Sequence, residues 1–467
     1  MKTRREIDPL GEKQIPNDVY YGIQTARAIE NFPVSGIRVP LLFIKAYVLV
    51  KKAAALANMQ IDCLSREIGE AIIQACDEVL EGKLIDQFVV DVFQAGAGTS
   101  FNMNVNEVLA NRALEINREP KGYYVIISPN DHVNMGQSTN DTFPTALHIS
   151  ILTALKPLIS ELYKLGEAFE ELSKKHSGTL KSGRTHLQDA VPITIGQEFG
   201  AYASAIMRAC EQLGERQKHL YEIALGGTAT GTGANAHPKY KRIAVAELAK
   251  MTELPLSPAR NAFEALQSAR PAQAVSSALK ELSLELIRIA NDLRLLSSGP
   301  TTGLSEITLP PVQPGSSIMP GKVNPVMAEC LNMVAFQVVG NDLAISLAVQ
   351  AGQLDLNVMT PVIMYNLLSS IQILTNYLPV FRQKCVAGIT VDKKRCRQYL
   401  DKNPSLATLL SPYIGYLEAS KIAKQALEEG RSVKEIALEK RLLKPEELEE
   451  IFKPERLIGE SKKSRVR

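Results

Sequence analysis

Between residues 151 and 172, Ile151, Leu155, Leu158, Leu162, Leu165, Phe169 and Leu172 recur at alternating steps of four and three. Such steps return a side chain to one face of an α-helix, so this spacing commits about six turns to a single long helix. The same alternation runs through Leu279, Leu282, Leu286, Ile289, Leu293 and Leu296, and a looser one through Ile195, Phe199, Tyr202, Ile206, Cys210 and Leu213. Stripes this narrow bury themselves against other helices. Two more long apolar helices are predicted over residues 325–350 and 360–386. Five long helices in one region point to an all-α bundle able to assemble across subunits. Pro157 lies inside the first stripe and is expected to kink it, but the period continues past it.

The flanking regions are shorter-stepped. Residues 44–60 and 68–81 have helical spacing, and Tyr123–Ile127 reads as a short strand or hairpin arm. Beyond about residue 390, helices are expected over 416–429 and 433–441. At about 150 residues per domain, 467 residues suggest three. The expected division is a mixed, mostly helical N-terminal domain over 1–140, a central helical bundle over 141–393 and a small helical C-terminal domain over 394–467.

A net charge of +3 gives no reason to expect nucleic acid or a membrane surface as partner. The six cysteines are scattered, without a CxxC pair or metal-ligand spacing, and read as reduced thiols. No signal-peptide pattern opens the chain, and no uninterrupted apolar run reaches the ~18 residues of a membrane span. A cytoplasmic protein is expected. The basic cluster Lys462–Arg467 reads as a solvated tail.

Four polar, glycine-rich islands interrupt the helices: Gly96–Glu107, Pro129–Asp141, Gly183–Pro192 and Gly315–Pro325. Taken singly, each reads as loop and cap residues, with Asn140, Asp141 or Thr194 capping the helix that follows. Together, their neutral donors with Lys322 and His186 describe a site for a small dianion. The fourth island, Gly-Ser-Ser-Ile-Met-Pro-Gly-Lys-Val-Asn-Pro, carries two hydroxyls, a lysine and an asparagine on one loop. Its Asn324-Pro325 ending is expected to start a helix, with Asn324 as N-cap and Pro325 at the first helical position. Gly226–Gly233 superficially suggests a dinucleotide fingerprint, but no strand precedes it, so it reads as a tight loop of small residues near the site.

On these islands the chain resembles the aspartase/fumarase superfamily of lyases. The fourth island matches that superfamily's signature, and the likeness runs from Asp8-Pro-Leu-Gly to beyond Gly415. The resemblance implies three domains and a homotetramer whose central bundles form a twenty-helix core, with each active site drawn from three subunits. Ser128, the Ser138-Thr139-Asn140-Asp141 wording, Tyr20-Tyr21-Gly22 and Ala351–Val358 favour the aspartase branch, which releases ammonia from L-aspartate, over the fumarase branch, which hydrates fumarate. A catalytically silent scaffold is the third reading, and intact Ser316, Lys322 and Asn324 argue against it. Thr301 stands where both branches usually carry arginine, and nothing in the residues explains it.

The roles the resemblance implies are these. Ser316 is the general base, its alkoxide supported by loop amides and Lys322. Thr99, Ser138, Thr139 and Ser317 hold the β-carboxylate, and Thr185, Lys322 and Asn324 the α-carboxylate. Asn140 and His186 face the amino group, with Glu329 behind the histidine. The chemistry requires no metal or cofactor.

Overall fold

A computed structural model describes residues 2–458, so the expected basic tail lies outside the described residues. In chain order the elements are β1 (Thr3–Asp8), β2 (Gly11–Pro16), α1 (Ile23–Asn31), α2 (Leu41–Gln60), α3 (Arg66–Leu80), α4 (Thr99–Ile116) and α5 (Thr139–Lys175). Next come β3 (Leu180–Thr185), β4 (Gln188–Thr194), α6 (Ile195–Arg216), β5 (Glu222–Ile223), α7 (Tyr240–Thr252), β6 (Ser257–Pro258), α8 (Ala262–Gln267) and α9 (Arg270–Leu296). The chain continues with β7 (Ile307–Thr308), α10 (Val326–Gln350), α11 (Thr360–Lys384), β8 (Thr390–Val391) and α12 (Lys393–Lys402). It closes with α13 (Ser411–Ile414), α14 (Tyr416–Glu429), α15 (Val433–Glu439), α16 (Pro445–Ile451) and α17 (Pro454–Leu457). Every strand belongs to a two-stranded ribbon, so the mainly helical class stands.

The chain divides into two compact units: residues 1–159, 211–283 and 336–375 form the first, and 160–210, 284–335 and 376–467 the second. The first is centred on rings. Phe43 and Tyr47 of α2 meet Phe101 of α4 and Phe143 of α5, with ring centroids 4.7–6.0 Å apart. Gly98, just before α4, has φ +91°, and a Cβ there would lie 2.2 Å from the Phe143 ring. Only glycine allows both the left-handed backbone and the close approach that brings the start of α4 against α5.

In the second unit, Leu162, Leu165, Phe169 and Leu172 of α5 are buried, as are Phe199, Tyr202 and Ile206 of α6 and Leu286, Ile289 and Leu293 of α9. The rings of Phe169, Phe199 and Tyr202 pack 5.8–6.2 Å apart. Thr194 caps α6 reciprocally: Gln197 N–H donates to Thr194 Oγ1 and Thr194 N–H to Gln197 Oε1. Helices α12–α17 enclose a separate apolar cluster around Leu410, Ile422, Ile436 and Leu448.

Three expectations change. Tyr123–Ile127 is a run of turns, in which the Tyr124 hydroxyl accepts from Asn111 Nδ2 at 2.9 Å. Tyr123, Val125 and Ile126 are exposed and no strand pairs with them among the described residues, so their β propensity finds no sheet surface to fit. Helix α5 runs on through Pro157, as its period implies, and through Pro144 as well. Helix α10 begins at Val326, one residue later than expected, and the Asn324 side chain turns back to donate to Gly315 O instead of capping it. Finally, α5 and α10 are long and apolar enough to span a membrane by length and composition, with mean hydropathies of 1.2 and 1.3. The apolar window of α5 is mostly buried inside the protein (61%). A search for uninterrupted apolar runs passes over both helices, because isolated charges break them.

Gly98→Ala is expected to lower the thermal midpoint through a loss of about 1–3 kcal/mol from overpacking against Phe143, on top of the left-handed backbone cost. Calorimetry of the folded variant checks this, and an unchanged midpoint contradicts it.

Candidate active site

Within the first unit the first two islands converge. Helix α5 starts at the Ser138 turn, where Ser138 N–H donates to Asp141 Oδ1 and Asn140 N–H donates to Ser138 Oγ. This is helix-start geometry, in which Ser138 Oγ and Asp141 Oδ1 are both acceptors. Thr99, at the first turn of α4, donates to Gly96 O at 2.6 Å, and its Oγ1 lies 3.3 Å from Thr139 Oγ1. Thr99, Ser138 and Thr139 thus line one cavity of about 640 Å³, together with Asn102, Asn134 and Gln137. Asn140 donates to Ala229 O and lines the smaller cavity beside Ala97 and Thr360.

Two charges beneath this wall escaped the sequence reading. The other Asp141 oxygen accepts from Gly226 N–H at 3.0 Å and Thr228 N–H at 2.9 Å, which ties the small-residue loop to the Ser138 turn. The loop thus lines the same cavity as Thr99, Ser138 and Thr139 within this unit. Burial pushes the Asp141 carboxyl up to about 7, against the lowering effect of these N–H donors and of Lys51. Lys51, fully buried in α2, donates to Asn102 Oδ1, Asn134 Oδ1 and Gln137 Oε1 at 2.7–3.0 Å. Burial pulls its ammonium down to about 7. Three carbonyl acceptors match the three hydrogens of the charged form. A lysine on an otherwise apolar helix face was the signal available for it; Asp141 had been assigned to a helix cap.

The second unit carries the other two islands. Strands β3 and β4 form a hairpin in which Thr185 pairs with Gln188, so His186 and Leu187 are the two turn residues. Both have positive φ, +56° and +61°. Such a turn favours Asn-Gly, and each non-glycine residue held there carries about 1–3 kcal/mol of strain. Strain of this kind is what a rigid scaffold can hold at a binding position. Thr185 and His186 are exposed at the tip.

The Gly315–Pro325 loop is closed at its base, where Gly315 N–H donates to Lys322 O at 2.8 Å. A Cβ on Gly315 would lie 2.3 Å from that oxygen, so the closure requires glycine. Ser316 Oγ accepts from Ile318 N–H (3.3 Å) and Met319 N–H (3.0 Å). Ser317 and Lys322 are exposed, and Asn324 closes the loop. Glu329 lies in the first turn of α10, and within the chain no hydrogen bond joins it to His186 among the described residues. The candidate residues therefore occupy three clusters: a hydroxyl cradle in the first unit, and a hairpin tip and a serine loop in the second.

Comparison with known proteins bears on these clusters. A family profile described as "Lyase" matches residues 11–340, and one described as the fumarase C C-terminus matches 406–459. The chain is 51% identical to the aspartate ammonia-lyase of Bacillus sp over 97% of each chain. It is 48% identical to the aspartate ammonia-lyase of Helicobacter pylori over 98% of each. Among solved structures, the class II fumarase of Schistosoma mansoni aligns with a TM-score of 0.95 at 36% identity, covering 98% of this chain and 100% of that one.

The Asp141 carboxyl sets a pH signature. Its folded pKa is raised from 3.8 to about 7, so the stability it contributes is present below about 4 and lost as pH rises to about 7. The stability difference between wild type and Asp141→Asn should therefore shrink across that window, by about 1.4 kcal/mol per pKa unit. Denaturant titrations at several pH values read this, and a difference that grows with pH contradicts it.

Proposed function

Since the chain belongs to the aspartase/fumarase superfamily of lyases, we infer that it is a carbon–nitrogen lyase that converts L-aspartate reversibly to fumarate and ammonia. The carrying observation is the higher identity to aspartate ammonia-lyases, 51% and 48%, than to the fumarase, 36%. Local geometry agrees. Where fumarases usually carry histidine, Ser128 accepts from Asn130 N–H and Asp131 N–H as a simple turn cap.

The following assignment is our own reading of the site. Ser316 Oγ, as alkoxide, takes the proton from Cβ of L-aspartate. The C–H electron pair moves into the neighbouring carboxylate, giving an aci-carboxylate dianion. That pair then forms the Cα=Cβ bond as the C–N bond breaks, and the ammonium group leaves as ammonia. A serine hydroxyl is a weak acid, and the two loop N–H groups that Ser316 Oγ already accepts stabilise its anion. Lys322 adds positive charge. Thr99, Ser138, Thr139 and Ser317 hold the β-carboxylate, where neutral donors tighten as charge develops. Thr185, Lys322 and Asn324 hold the α-carboxylate. Asn140 and His186 face the amino group, with Glu329 supporting the histidine from another subunit.

The same reading takes the protein as a homotetramer in which three subunits complete each site. Its support is α10, where Met333, Phe336, Leu343 and Leu347 stay 58–65% exposed on one face. With Gly340 between them they step by three and four, the spacing of a helix–helix seam. The three-domain division at 140/141 and 393/394 belongs to this reading too. So does a cytoplasmic location, which six scattered cysteines without a CxxC spacing suit.

Purified protein should release fumarate from L-aspartate and not from L-malate; release from malate alone sinks the reading. Ser316→Ala should lower kcat by about 10²–10⁴-fold, the usual worth of a general base, with KM little changed. Retention of activity within about tenfold removes Ser316 from that role.

A further inference from the structure

The strained hairpin tip is followed back, within the same unit, to a cluster of four charges, two of them buried and two half-buried. Lys181 and Arg184 lie on β3, and Glu198 on α6. Glu306 directly precedes β7, and its side chain is wholly buried. Lys181 Nζ lies 2.8 Å from both Glu198 Oε2 and Glu306 Oε2. Arg184 grips Glu306 with two parallel bonds, both 3.0 Å. Two cations thus face two carboxylates, and the cluster is neutral.

We propose that Arg184 and Glu306 are positioning residues for catalysis: their forked pair fixes the Thr185–Gln188 turn in the orientation that presents Thr185 and His186 to substrate. This rests on the reading of the tip as substrate-binding. Arg184 immediately precedes Thr185. A guanidinium fork is directional where a lone ammonium is not, so it sets the orientation of the strand end as well as its charge balance. The other half of the grip is itself held. Asp392 N–H donates to Glu306 O, and Ile307 pairs with Val391. Farther from the tip, Asn403 Nδ2 donates to Ser182 Oγ and Ala190 O, bracing both strands of the hairpin. Buried ion clusters contribute little net stability compared with apolar packing, so geometry is the better account of this one.

The pair has a second consequence. Glu306 stands nine residues before Gly315, and the intervening segment contains Pro310, Pro311 and Pro314. Pro310 packs tightly on Gly388, where a Cβ would lie 2.4 Å from the ring. A proline-rich arm is stiff, so the carboxylate that orients the hairpin also anchors the root of the Ser316 loop.

Arg184→Lys keeps the charge and removes the fork. With L-aspartate as substrate, its thermal midpoint should stay within a few degrees of wild type while kcat/KM falls about 10²-fold, the scale of an ångström-sized misplacement. In a Thr185→Ala/His186→Ala background the same change should cost less than about threefold, because nothing remains at the tip to misplace. An equal loss in both backgrounds overturns the proposal, as does a harmless Arg184→Lys in the wild-type background. Wild-type kinetics in the tip-less background would overturn the substrate-binding reading and this inference with it. If Arg184→Lys fails to fold, Arg184→Gln, which also removes the fork and leaves Glu306 held by Lys181, enters the same cycle and is read by the same outcomes.

Discussion

One carboxylate organises the first unit. Asp141 takes backbone N–H groups from Ser138, Gly226 and Thr228 with no solvent exposure. Those bonds set the turn that starts α5, and with it the hydroxyls of Ser138 and Thr139. They also draw in the small-residue loop, whose Ala229 carbonyl receives the Asn140 amide. Removing the carboxylate would leave three donors without an acceptor in a place water does not reach, and such groups are the costly ones to strand. The nearest compensation is Lys51, itself buried and satisfied by three amide oxygens. The cradle is therefore built of neutral hydroxyls resting on a layer of fixed dipoles above two buried titratable groups, Asp141 and Lys51.

That layering suits a dianionic substrate. A cradle of lysines would bind both carboxylates tightly in the ground state and gain little as charge moves between them. On the proposed assignment, the hydroxyls would strengthen their bonds as the β-carboxylate approaches a double negative charge, so more of their binding would be spent in the transition state. The surrounding amides have little freedom to reorganise: Asn134 Oδ1 alone accepts from Lys51, Asn102 and Asn106. Preorganised dipoles of this kind need no rearrangement as charge develops.

Different physics was legible in the sequence to different degrees. Helices α5, α6 and α9 could be read because a 3.6-residue period is written directly in the positions of Leu, Ile and Phe. The α6 cap was readable as Thr194 followed three residues on by Gln197. The serine loop and hairpin tip were recognisable as wording that resembles a known superfamily. Lys51 was not legible, because the amides that explain it lie 51 to 86 residues away. Asp141 was read as a local cap, and its bonds to Gly226 and Thr228 span 85 and 87 residues. Asn324 was assigned by helix-start statistics, yet Gly315 O, nine residues back, competes for the same side chain and wins. Tyr123–Ile127 failed for a related reason: strand propensity measures fit to a half-buried sheet surface, and here Tyr123, Val125 and Ile126 stay exposed in turns.

The serine loop separates what is built in from what has to be assembled. Its base is rigid, closed by Gly315 on Lys322 and by the Asn324 side chain. Its crown is not buried: Ile318 is 83% exposed and Val323 51% exposed. The amides that receive Ser316 Oγ are in place before any substrate arrives. In open water, however, two N–H groups and a hydrated lysine do little to lower a serine pKa, because the solvent screens them. The apolar crown offers a remedy. Laid over a bound dicarboxylate, Ile318 and Val323 would exclude water from the ground around Ser316. The same two amides and the same lysine would then act at a much lower local dielectric. With Ser316 in the proposed role of base, its strength would thus be coupled to closure, and a loop held at its root and apolar at its tip suits that coupling.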